Sequence, residues 1–174
     1  MVSAGFAGAL AETLQVGELI RPAALVDEVT GRRVEIAGGK GIVVSSPRVA
    51  GPRQKRELAA RFAAQAVDME GAAVALVAAA YGVRFMAVKA VSDELDFPLP
   101  DFSLFTDSAG QLQRGRLIAF AMLRPWLWPR LMRLSGNCRR AARELCRALQ
   151  HLIFQQEELT PSLAPDSVAQ PGSH

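Results

Sequence analysis

The chain of 174 residues is half apolar and 6% aromatic, and its 20 basic and 17 acidic side chains leave a net charge of +3. That length favours a single domain with a real core, and so mild a charge gives no reason to expect a nucleic-acid partner. Cys138 and Cys146 make neither a disulfide framework nor a zinc pattern, no charged-then-apolar leader is seen, and the apolar run 117–123 is too short to span a bilayer; the chain reads as reduced, soluble and cytoplasmic.

In chain order, residues 1–4 read as the end of a buried strand and residues 5–10 as a glycine-bearing turn. Residues 14–20 lead into a strand. Residues 23–29 and 32–36 predict a hairpin across Thr30-Gly31, and residues 41–45 a short buried strand. Residues 52–62 place charges on one side and Leu58, Ala59 and Phe62 on the other, the pattern of a surface helix. Residues 67–81 predict a central helix, apolar nearly all round and so buried between layers, ended by Gly82. Residues 84–91 form the next strand, and strand, helix and strand on short links predict a parallel α/β sheet. Residues 92–110 form a loop with Phe97, Phe102 and Phe105, past the end of a parallel strand, where α/β folds keep their sites. Residues 111–123 and 131–154 read as helices split between Pro125 and Pro129. A polar, disordered tail, residues 155–174, follows a domain of residues 1–154. Nine arginines and one acid, Glu144, lie between Arg114 and Arg147. They form a solvated helical face or a surface for an anionic partner.

Two acids stand out. Glu70 lies in the first turn of the predicted central helix, where the positive end of the macrodipole favours an anion. Its two acceptor oxygens suit the adjacent hydroxyls of a ribose. The same spacing suits Asp68 and Glu70 as ordinary first-turn acids. Asp93 follows a strand end. A partly desolvated carboxyl group there can act as a general acid, with Ser92 orienting it, or Asp93 can simply cap the next turn. Phe97, Phe102 and Phe105 either stack on a heteroaromatic base or fill core. Trp126 and Trp128, beside Arg124 and Arg130, suit a membrane surface or a helix joint.

The run Ala66-Val67-Asp68-Met69-Glu70-Gly71-Ala72-Ala73, then Lys89-Ala90-Val91-Ser92-Asp93, resembles the purine nucleoside phosphorylase and nucleosidase superfamily. Gly5-Phe6-Ala7-Gly8-Ala9-Leu10 with Val16-Gly17-Glu18 is similar to that family's glycine turn and following strand, and the resemblance covers roughly residues 1–125. It implies a three-layer α/β/α phosphorylase-type sheet, here truncated at its N-terminus, and cleavage of the N-glycosidic bond of a purine nucleoside by phosphate or water. Glu70 would hold the ribose hydroxyls and Met69 would pack on the sugar. Asp93, with Ser92, would protonate the departing purine. Val49 would lie near the base, and Phe102 or Phe105 at the sugar's 5′ side. Gly5, Phe6 and Lys89 match further binding positions. Phe6 and Lys89 depart from the serine and arginine of the nucleosidase branch. No metal or organic cofactor is implied, only phosphate as a cosubstrate, and the full-length protein would form a homo-oligomer. Two alternatives remain. One is a hopanoid-associated phosphorylase acting on a purine-bearing lipid, with peripheral membrane contact. The other is an inactive fragment that only binds nucleoside.

Overall fold

The structure is a computed structural model, and it describes residues 1–98 and 128–158. Expectations for residues 99–127 and 159–174, Phe102 and Phe105 among them, lie outside the described residues. Short β-branched and alanine-rich runs make seven strands: β1 (Val2–Ala9), β2 (Leu19–Ile20), β3 (Ala24–Asp27), β4 (Arg33–Glu35), β5 (Ile42–Ser45), β6 (Ala66–Asp68) and β7 (Met86–Asp93). Among the described residues three helices accompany them: α1 (Pro52–Phe62), α2 (Gly71–Ala80) and α3 (Trp128–Glu158).

The strands form one sheet in the order β2-β7-β1-β6-β5-β3-β4. It is mixed. β1 runs parallel to β7 and antiparallel to β6, while β3, β5 and β6 are parallel to one another. Strand side chains alternate between faces, and β5 shows what covers each. Val43 packs in one apolar cluster with Ala72 and Ala75 of α2, and Val44 in another with Leu58 of α1. Helices therefore flank both faces, the three-layer α/β/α arrangement. α3 lies against β7 and β1, with Ala141 fully buried. The hairpin across Thr30-Gly31 forms as expected, as β3 and β4.

Two local expectations give way to tertiary pairing. Residues 5–10 are not a turn. β1 continues through Ala9, hydrogen-bonded on both sides, and its irregularity is a bulge between Ala7 and Gly8. Ladder bonds from two neighbours outweigh the turn preference of glycine. The central helix also starts later than its apolar run. Val67 pairs with Gly8 on one side and Val44 on the other, so residues 66–68 are strand. A short apolar run has no period to tell a buried strand from a helix.

The junction between β6 and α2 is built from Asp68, which is 4% exposed. Its Oδ1 accepts from Ser45 Oγ, and its Oδ2 accepts from the Gly71 amide at 2.9 Å. Ser45 Oγ in turn accepts from the Ala72 amide at 2.8 Å. These bonds satisfy donors that the first turn of a helix leaves over. Lys89 Nζ lies 2.6 Å from Asp68 Oδ2 and donates to Ser3 Oγ at 3.2 Å. Gly71 leaves room for this packing, since a Cβ there would sit 2.5 Å from Asp68 Oδ2.

Removing one member of a buried pair leaves an uncompensated charge. Asp68→Ala is expected to lower unfolding stability by about 3–5 kcal/mol. Asp68→Ala with Lys89→Met should cost clearly less than the sum of the two single changes. Urea unfolding of the four proteins checks both.

Candidate active site

A cavity of about 280 Å³ opens where β1, β6 and β7 meet α1 and the start of α2. Phe6, Val49, Met69, Glu70, Ser92 and Asp93 all line it, with Arg48 and Lys55 beside them. Glu70 and Asp93 thus share one hollow, reached from consecutive elements. Gly5 and Lys89 do not line it. Both sit deeper along their paired strands, and Lys89 is taken up by Asp68 and Ser3.

Glu70 occupies the N-cap position of α2 rather than its first turn. Its side chain makes no capping hydrogen bond, because Asp68 and Ser45 already serve the first amides. Glu70 and Met69 are exposed at the cavity rim. The carboxylate therefore faces solvent with both oxygens able to accept from a ligand while the helix end favours its negative charge.

Asp93 ends β7 and is 5% exposed. Its Oδ1 accepts from Ser92 Oγ at 2.7 Å, and its Oδ2 forms an ion pair with Lys55 Nζ. Lys55 also donates to Glu94 O at 2.6 Å. Gly8, at the bulge of β1, makes this crowding feasible. A Cβ on it would lie 3.0 Å from Asp93 Oδ2 and 3.1 Å from Lys55 Cε. The segment after Asp93 is held from outside. Arg56 pairs with Asp96, Arg133 lies 3.6 Å from Glu94, and the Arg133 guanidinium stacks on Phe97 at 5.2 Å from the ring centre. Phe97 is buried, which makes it core.

Lys55 is a cavity-lining side chain that sequence reading missed. It sits among the charges of residues 53–57 in a helix that reads as a solvated surface element. A partial signal was present. The helix turns Leu58 inward, and position 55 lies one turn before it on the same face. Among the described residues, no group of three or more His, Cys, Asp or Glu side chains could hold a metal ion.

Charge reaches the second layer too. Burial, and then the negative charge of Asp93, push the Cys138 thiol of α3 above its ordinary 9.0. The folded chain thus holds that proton more tightly than the unfolded one. The associated stability is present below pH 9.0 and is lost as pH rises beyond it. Iodoacetamide at pH 8 is expected to alkylate exposed Cys146 before Cys138. Asp93→Asn should narrow the difference. Timed mass spectrometry reads the order. A second substitution probes the crowded bulge: Gly8→Val should displace the Lys55–Asp93 pair and lower stability by about 1–3 kcal/mol in a urea melt.

This geometry can be set against known proteins. No curated protein sequence matches the chain. Among solved structures, Helicobacter pylori 5′-methylthioadenosine/S-adenosylhomocysteine nucleosidase with butyl-thio-DADMe-Immucillin-A has a TM-score of 0.62 at 18% identity, over 88% of this chain and 67% of that one. A second structure of Helicobacter pylori MTAN gives 0.50 at 25% identity, over 53% and 56%. A futalosine hydrolase mutant from the same organism gives 0.50 at 23%, over 55% and 57%. The chain thus spans little more than half the length of these last two relatives. The family model described as the phosphorylase superfamily matches residues 33–123, which include the Met69-Glu70 and Ser92-Asp93 pairs. With the shared α/β fold, that match over half of the sequence makes the chain a member of the phosphorylase superfamily.

Proposed function

We propose that the protein cleaves the N-glycosidic bond of a purine nucleoside. The observation that carries this reading is one cavity lined by both Glu70 and Asp93. The superfamily membership and the nucleosidase-type fold support it. In the reaction, Glu70 accepts hydrogen bonds from the ribose hydroxyls and Met69 packs on the sugar. The sugar then develops oxocarbenium character while negative charge builds on the base. Asp93 delivers a proton to that base, and the Ser92 hydroxyl fixes the carboxyl orientation. Stabilising both charges only as they develop is what lowers the barrier. The nucleophile is water or phosphate, and the reaction calls for no metal or organic cofactor.

A second reading makes the substrate lipid-borne. It is favoured by the start of α3, where Met132 is 75% and Trp128 51% exposed near Arg130 and Arg133. Aromatic and basic side chains together suit an anionic interface. Among the described residues, no helix is long and apolar enough to cross a membrane. Sedimentation with anionic vesicles, weakening as salt rises, is the expected result for this reading. No sedimentation at low salt would remove it.

A panel of purine nucleosides, with and without phosphate, tests the main reading through released base. Asp93→Asn should lower turnover by about 10²–10⁴-fold while nucleoside still binds. Glu70→Gln should act mostly on binding, raising KM by about ten- to a hundredfold. Binding without release by the unaltered chain is the expected outcome if it is only a nucleoside-binding fragment.

A further inference from the structure

Lys55 lines the cavity but has no task in the reaction proposed above. Its side chain is 1% exposed. Burying an ammonium group is costly, and packing alone is better served by an apolar side chain of similar volume. The cation is spent on two acceptors, Asp93 Oδ2 and Glu94 O. Asp93 Oδ1 is meanwhile occupied by the Ser92 hydroxyl. Both oxygens of Asp93 thus accept hydrogen bonds, and neither donates a proton in this arrangement. A departing purine needs one, and the proton nearest to Oδ2 is on Lys55.

We propose that Lys55 is the positioning and proton-supplying residue for Asp93; this rests on the glycosidic-cleavage reading. A proton moves from Lys55 Nζ to Asp93 Oδ2, and a proton passes from Asp93 to a ring nitrogen of the base. The C1′–N9 bond breaks with its electron pair going to the base, which leaves neutral. Lys55 is then an uncharged amine. An oxygen of water or phosphate forms the new bond at C1′, and the proton it sheds restores the ammonium. The ion pair thus stores in the resting site the proton that the leaving group takes.

The test compares two leaving groups. Purine nucleosides need a proton to release the base, whereas 4-nitrophenyl β-ribofuranoside releases a phenolate that does not. Lys55→Met and Lys55→Arg are each expected to slow base release from adenosine, inosine or 5′-methylthioadenosine by about a hundredfold or more. The loss on the nitrophenyl riboside should be at least about tenfold smaller. A ratio of two rates does not depend on how much protein has folded. Equal losses on both substrates would show a merely structural lysine and overturn the proposal, and so would undiminished purine cleavage. If the unaltered protein releases no base from any nucleoside, the glycosidic reading falls, and Lys55 is judged by calorimetric binding of adenine. Binding weakened at least about tenfold in Lys55→Met supports its role in positioning Asp93. Equal binding, or none by either protein, overturns it.

Discussion

Asp68 and Lys89 meet inside the sheet, and the geometry of the cavity follows from that contact. Asp68 divides its two oxygens among an ammonium, a serine hydroxyl and the first amide of α2. The charge is neutralised and the helix end is capped by the same side chain. Glu70, one residue before the helix, is thereby relieved of the capping duty that its position would give it. Structure and chemistry are separated across three residues. The first acid holds the fold, Met69 bridges, and the second acid faces the hollow.

The other end of the site uses the same device differently. Lys55 and Asp93 are also a buried pair, and both line the cavity, whereas of the first pair only Asp68 does. A pair at the wall of a cavity can trade its proton with whatever enters. Around it, Arg56 and Arg133 hold the segment from Glu94 to Phe97 from the solvent side. The cations of α1 and α3 therefore converge on the few residues after β7, and the carboxylate ends up fixed from its own strand, from a helix and from the loop behind it.

Much of this was legible in the sequence. The hairpin of β3 and β4, the strand β5 and the helix α1 could be read from turn residues and apolar spacing, whereas the pairing of the two acidic motifs came from the resemblance to a known superfamily. What resisted reading had a common cause. Val67 and Gly8 are strand because they pair across 58 intervening residues, and no local preference encodes that. Lys55 looked like one charge among several on a wet helix face. Its burial depends on where Asp93 lands after folding. The resemblance assigns Lys89 to the ligand, but strand alternation and the register with Gly5 turn it toward Asp68. Long-range partners decided every one of these cases.

The place of β1 in the sheet has a consequence for how the chain assembles. It lies in the middle, between β7 and β6, yet both neighbours are made much later. During synthesis, Gly8 must wait for Val67 and Val2 for Met86. Until then an apolar, alanine- and glycine-rich ribbon carries two rows of unmatched amide and carbonyl groups. Pairings so distant along the chain slow the search for the native state and leave sticky intermediates behind.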